Sequence, residues 1–169
     1  MKYYIIAGEA SGDLYGSRLI DEILSIDREA DIRFWGGDKM ILSGGFNVKH
    51  IKELAFMGFY EVLKNIFTIR KNINFCKKDI CDFDPDKIIY IDYPGFNLLI
   101  SKWAKKKGFK NYYYISPQIW AWKENRIKTI KENIDKLYVI FPFEREYYSD
   151  RHNFKSEFYG HPLIEQIDN

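Results

Sequence analysis

A chain of 169 residues is long enough for one well-buried domain and short for two. Its 26 Lys and Arg against 24 Asp and Glu leave a net charge of +2, which removes the strongly basic balance expected of a nucleic-acid binder; no nucleic-acid partner is expected. Aromatic residues make up 18% of the chain, more than a core of this size needs, so some are expected to face a ligand, a lipid or a partner. Cys76 and Cys81 lie five apart in a helical stretch and point to different sides, which argues against a disulfide or a metal pair. His50, His152 and His161 have no metal-ligand spacing, and no metal or other cofactor is expected. The N-terminus carries one Lys and a five-residue apolar run, short of a secretory signal or a membrane span.

In chain order, apolar runs alternate with helical patterns. Strands are expected at Tyr3 to Ala7, Ile32 to Trp35, more weakly Asn47 to Lys49, then Lys87 to Ile91, Asn111 to Ile115, Leu137 to Ile140 and Phe158 to Tyr159. Helices are expected at Leu14 to Ser25, Tyr60 to Asp82, Phe96 to Lys107, Lys123 to Asn133 and Glu144 to Asp150. This alternation is the signature of β-α-β units. It predicts an α/β fold, a doubly wound, mostly parallel sheet with helices on both faces, in a single domain over residues 1–169. In such folds ligands bind beyond the carboxyl ends of the strands, where the loops rich in Gly, Pro, Asp and Ser would gather.

The first of these loops, Gly8-Glu9-Ala10-Ser11-Gly12-Asp13, joins the first strand to the first helix. Its two glycines permit a tight turn and close approach to a ligand, beside the first amides of a helix. It lacks the Gly-Lys-Ser/Thr of a phosphate-binding P-loop and the Gly-x-Gly-x-x-Gly spacing of a dinucleotide site. Glu9 and Asp13 suit hydroxyl recognition or helix capping, and an ordinary turn capped by Ser11 or Asp13 is the competing reading. Asp92 ends an apolar strand, where burial would raise its pKa as a general base requires; capping the helix entered through Pro94 is the alternative.

Two further segments stand out. In Ser116-Pro117-Gln118-Ile119-Trp120-Ala121-Trp122, the two Trp cannot share one helix face, so at least one should cover a loop, stack on a sugar or reach a partner. Arg126 at the head of the following helix could grip a phosphate or simply be solvated. Within Tyr60 to Asp82, Val62, Ile66, Ile69, Ile73, Cys76 and Ile80 form a stripe sufficient to pack on the sheet. Phe56, Met57, Phe59, Leu63 and Phe67 then form a second apolar surface beside Lys64, Arg70 and Lys71. It suits acyl chains or a membrane interface, or else burial on both sides or a dimer contact.

Together these motifs resemble the lipid-A-disaccharide synthases, glycosyltransferases of the two-domain GT-B architecture. The resemblance is carried by Gly8 to Asp13, Gly36-Gly37 with Met40 and Gly45-Phe46, and Met57-Gly58-Phe59 with Glu61-Val62-Leu63. It continues through Ile91-Asp92-x-Pro94 with Phe96-Asn97, Ser116-Pro117 with Trp120-Ala121-Trp122 and Arg126, Phe141-Pro142-Phe143-Glu144, and Gly160-His161-Pro162-Leu163. It implies a Rossmann-like, acceptor-binding N-terminal domain, with the UDP-binding domain outside this chain. The implied reaction transfers 2,3-diacylglucosamine, with inversion, from its UDP donor to 2,3-diacylglucosamine 1-phosphate (lipid X). Asp92 would be the general base, and Glu9, Ser11, Gly12, Asp13, Asn97, Ser116, Trp120, Trp122 and Arg126 would line the substrate cleft. The patch Phe56, Met57, Phe59, Leu63 and Phe67 would meet acyl chains at the cytoplasmic face of the inner membrane, making the protein peripheral there. The chain departs from the family in placing Gly95 where a second acidic residue is common, leaving Asp92 the sole carboxylate of its loop. Alone, the chain is expected to be catalytically incomplete; the alternative is a non-catalytic, membrane-associated acceptor-binding module that recruits a separate nucleotide-binding subunit.

Overall fold

The computed structural model describes residues 1–54 and 66–162, with the side chain of Ile66 excluded. Among the described residues, seven parallel strands form one sheet: β1 (Lys2–Ala7), β2 (Asp31–Gly36), β3 (Phe46–His50), β4 (Lys87–Ile91), β5 (Asn111–Tyr114), β6 (Lys136–Val139) and β7 (Glu157–Phe158), in the order β3-β2-β1-β4-β5-β6-β7. The helices are α1 (Ala10–Ile26), α2 (Asp38–Ser43), α3 (Ile66–Phe83), α4 (Pro94–Lys106), α5 (Ile127–Asn133) and α6 (Pro142–Glu146). This is the expected Rossmann-like α/β fold. The order reverses at β1, because successive strands step one way to β3 and the other way from β4; right-handed crossovers therefore place α1 and α2 on one face and α3, α4 and α5 on the other.

Strand alternation divides the core accordingly. Tyr4, Ile6, Tyr90 and Tyr113 pack with Cys76, Ile80, Ile100 and Ile130 on the α3–α5 face. Ile5, Ala7, Phe34, Ile89 and Ile91 pack with Ile20 and Met40 beneath α1 and α2. Central strands read as unbroken apolar runs because both of their faces are covered, as in Ile88-Ile89-Tyr90-Ile91. Farther out the pattern becomes strict alternation: Asn111 and Tyr113 are buried while Tyr112 and Tyr114 are half-buried, and β6 repeats this with Leu137 and Val139 against Tyr138. Those three half-buried tyrosines lie on the α1 side, where with Tyr3, Leu19 and Ile23 they line a shallow groove.

Asn111 holds the other face together. Its amide donates to the carbonyls of Ser101 and Asn133, both at 2.9 Å, and its oxygen accepts from the Tyr90 hydroxyl at 2.9 Å, so a fully buried side-chain amide links β4, β5, α4 and α5.

Most expected elements stand within a few residues of their anticipated bounds. The first helix begins at Ala10 rather than Leu14. The stretch expected at Lys123 to Asn133 splits into a 3-10 turn (Glu124–Arg126) and α5, and that expected at Glu144 to Asp150 into α6 and a π-helical turn (Tyr147–Arg151). The short α2 was not expected; its single buried apolar residue, Met40, is too little to create a periodic signal. On α3 the expected stripe faces the core at Cys76 and Ile80, with Ile69 and Ile73 half-buried, while Cys81 on the other side is exposed. Val62 lies outside the described residues.

Candidate functional site

Because all seven strands run parallel, their carboxyl ends share one edge, and the loops after β1, β4, β5 and β6 meet there. The first loop turns directly into α1. Glu9 occupies the N-cap position in an extended conformation, makes no side-chain cap, and lends its carbonyl to the Asp13 amide at 2.9 Å. Ser11 is exposed and Gly12 is buried against Ala7.

Asp13, expected either to cap α1 or to meet substrate, does not cap α1. Its carboxylate turns sideways and accepts the amides of Gly37 at 2.7 Å, Met40 at 3.1 Å and Lys39 at 3.1 Å, capping α2 from another element. It is 5% exposed. Its negative charge meets the positive end of that short helix and its otherwise unpaired N–H groups. The expected capping of α1 by Ser11 or Asp13 is therefore not found; Asp13 caps a different helix, one that the sequence did not reveal.

The loop after β4 is the reverse case. Asp92 and Tyr93 are consecutive left-handed residues, with φ of 43° and 50°, before Pro94 opens α4. Asp92 is half-buried. Burial pushes its pKa up first, the Glu9 carboxylate pushes it further, and the Tyr93 amide and the Arg126 guanidinium pull it back. Its carboxyl therefore stands in the combined field of the first loop and of the Trp-containing loop. The Tyr93 ring lies across Gly8, where a Cβ would come within 2.4 Å of it, and stacks on Phe96 at 5.6 Å. Burial and Glu9 raise the Tyr93 hydroxyl to about 12. Tyr93 was not anticipated from sequence; the glycine opposite it was the available signal. Asn97 is fully buried and donates to the Asp92 carbonyl at 2.7 Å, so its amide supports the loop from below.

After β5 the chain turns through Ile115, a left-handed β-branched residue with φ of 63°, an arrangement tolerated only where the surroundings enforce it. Ser116 is 2% exposed, with its hydroxyl 2.7 Å from that of Tyr148. It faces into the domain rather than toward a cleft. Trp120 donates its indole N–H to Glu144 at 3.0 Å and meets the Phe143 ring edge-on at 5.0 Å. Glu144, wholly buried, also accepts the amides of Ile140 and Phe141 at 3.2 and 3.1 Å, tying the Trp loop to the start of α6. Glu144 belongs to a motif visible in the sequence, but its partner could not be read there, because the two segments meet only in the fold.

Trp122 remains 59% exposed and is flanked by two cations, Lys123 at 4.4 Å and Arg126 at 5.3 Å from its ring centre. The structure thus brings Glu9 and Arg126 each into electrostatic range of Asp92 at the sheet edge, with Trp122 against Arg126. Asp13, Ser116 and Asn97 serve as supports behind them. Of the acyl and membrane patch, Phe67 is 83% exposed in the first turn of α3, ahead of exposed Arg70 and Lys71. Phe56, Met57, Phe59 and Leu63 lie outside the described residues.

Relatives in sequence span nearly the whole chain. Residues 3–169 match the family described as "Lipid-A-disaccharide synthetase". The chain is 42% identical over 163 residues to the lipid-A-disaccharide synthase of Geobacter metallireducens, covering 96% of this chain and 42% of that protein. It is 41% identical over 159 residues to that of Coxiella burnetii, covering 94% and 42%, and 40% identical over 171 residues to that of Francisella philomiragia, covering 99% and 44%. The chain thus spans less than half the length of these relatives. Among solved structures, UDP-GlcNAc 2-epimerase from Neisseria meningitidis aligns with a TM-score of 0.64 at 13% identity, over 99% of this chain and 49% of that one. A putative UDP-N-acetylglucosamine 2-epimerase from Listeria monocytogenes aligns with a TM-score of 0.61 at 11% identity, over 98% and 50%. At such identities the likeness speaks for the fold alone.

Proposed function

Since the chain belongs to the lipid-A-disaccharide synthetase family, we propose that it is the acceptor-binding domain of a lipid-A-disaccharide synthase and that Asp92 is its general base. The observation that carries the assignment is the Asp92 carboxyl itself: at a strand end, largely desolvated, and within the electrostatic reach of both Glu9 and Arg126. A hydroxyl of the acyl-sugar acceptor attacks the anomeric carbon of the UDP-activated 2,3-diacylglucosamine. The new glycosidic bond forms as the bond to UDP breaks, and Asp92 takes the hydroxyl proton. A raised pKa makes that transfer more favourable than an ordinary surface carboxylate would. Arg126, steadied on Trp122, is placed to hold the acceptor's 1-phosphate, while Glu9 and the exposed Ser11 hydroxyl are placed for sugar hydroxyls. A nucleotide-binding half completes the cleft, so transfer requires both halves.

Substrates of this kind reside in a bilayer. No described helix is long and apolar enough to cross one. Contact at the cytoplasmic membrane surface falls in this reading to Phe67 with Arg70 and Lys71, an exposed apolar side chain ahead of two cations.

The test is a chimera that continues this chain with the remainder of the Geobacter metallireducens relative. It should form the disaccharide from UDP-diacylglucosamine and lipid X, and Asp92→Asn in the chimera should slow it by about 10²- to 10⁴-fold. A chimera that keeps the parent turnover with Asp92→Asn removes the base assignment.

A further inference from the structure

The Asp92 turn is strained, and something must keep it so. Consecutive left-handed residues are costly for non-glycine side chains, and one of this pair is an aromatic. Such a turn persists only when its peptide groups are fixed from outside. The Asp92 carbonyl is the group so fixed: it accepts the Tyr113 hydroxyl at 2.6 Å and the Asn97 side-chain amide at 2.7 Å. Both donors are fully buried and come from different elements, β5 and α4. Tyr113 lies beside Tyr90 in the β4–β5 ladder, with its ring 5.7 Å away, so the hydroxyl is delivered by the sheet itself. Asn97 is delivered by the first turn of the helix that follows the loop. The next carbonyl, of Tyr93, accepts the Asn97 backbone amide at 3.0 Å, and the Tyr93 ring is trapped over Gly8.

We propose that Tyr113 and Asn97 are positioning residues: by clamping one backbone carbonyl between two buried donors, they hold the Asp92 turn left-handed and so fix where its carboxyl stands relative to Glu9 and Arg126. The inference rests on the reading of Asp92 as the base only for its functional meaning; the clamp itself is a property of this chain. Both side chains are fully buried. With the carbonyl drawn into the domain, the side chain stays in its desolvated position, where burial and Glu9 act on it together. Released, the turn can relax to ordinary backbone angles and carry the carboxyl toward water.

The charged and titratable groups facing Asp92 are Glu9 from the first loop, Tyr93 from its own, Arg126 from the 3-10 turn and Tyr113 from β5. The experiment follows the Asp92 carboxyl carbon by NMR through a pH titration of the 169-residue chain, with Tyr113→Phe and Asn97→Leu compared with the parent. Each substitution removes a donor with little change of shape. The expected result is a downward move of the Asp92 midpoint in each variant and a less-than-additive move in the double variant, because both donors serve one carbonyl. Asp135, which accepts the Asn111 amide at 2.8 Å at the far end of β5, should keep its titration and so report that the strand is intact. A folded Tyr113→Phe chain with an unmoved Asp92 midpoint overturns the clamp. So does a Tyr113 hydroxyl proton in the parent chain that exchanges as fast as an exposed one, a measurement that needs no variant. An Asp92→Asn chimera with the parent turnover would remove the base role and leave these outcomes untouched, so the two ideas fail separately.

Discussion

Asp13 and Asp92 are both carboxylates in loops at the same edge of one sheet, and the fold gives them opposite surroundings. Asp13 receives three backbone amides and is nearly sealed from water. Asp92 is desolvated and lies near a second carboxylate, with the Tyr93 amide and a guanidinium to offset it. Backbone amides occupy the Asp13 oxygens, whereas burial and a neighbouring carboxylate raise the pKa of Asp92. What separates the two aspartates here is the supply of N–H groups, and only the folded chain decides that.

Four substitutions sharpen or break this contrast. The largest effect is expected from Asp92→Asn in the chimera, where losing a general base should lower turnover by about 10²- to 10⁴-fold. The same change should make the 169-residue chain more stable near neutral pH. A raised native pKa means that the folded state holds the proton more tightly than the unfolded chain. Asp92 therefore favours folding below the carboxylate range, and that contribution is lost as pH rises through its native pKa. Urea unfolding at pH 4 and pH 7 measures the difference, and equal stability of the parent and substituted chains at both pH values would break the contrast.

Asp13→Ala should act in the opposite sense. Three amides lose their acceptor, two of them in buried bonds, at a cost of about 3 kcal/mol, read as a lower urea midpoint with α2 losing its amide protection first. Next, Gly8→Ala forces a methyl group into the Tyr93 ring, and about 1–3 kcal/mol of overpacking should show in thermal unfolding together with altered Tyr93 ring shifts. The smallest effect is that of Glu9→Gln. It removes one of the two causes that raise Asp92, so the Asp92 midpoint should move down while stability scarcely changes. A midpoint that rises instead would place Glu9 elsewhere than beside Asp92 in solution.

The legible part of the molecule was that governed by period and punctuation. The run Ile88-Ile89-Tyr90-Ile91 announced a strand covered on both faces, and the glycines around Ser11 announced a turn into a helix. Asp92 stood out because a carboxylate follows that apolar run. The destination of a side chain was not legible where its partner lies far along the chain. Asp13 finds Gly37 and Met40 through a six-residue helix too short to show a period, and Trp120 finds Glu144 across a strand. Ser116 has the look of a loop hydroxyl but is consumed by Tyr148, 32 positions later. Tyr113 is simply one of three consecutive tyrosines in β5, and nothing short of the strand register tells which of them reaches the Asp92 carbonyl.

Those tyrosines also bear on how the chain behaves in water. On the outer strands the α1 side leaves Tyr112, Tyr114 and Tyr138 half-covered, positions that a parallel sheet ordinarily fills with Val or Ile beneath a helix. A tyrosine ring can cover its strand as an aliphatic side chain does while its hydroxyl keeps a wetted rim. The sheet thereby presents aromatic bodies with polar tips in place of a bare aliphatic strip, the kind of surface that drives precipitation. Replacing Tyr112 and Tyr138 with phenylalanine would leave the packing beneath them intact and make this face less polar.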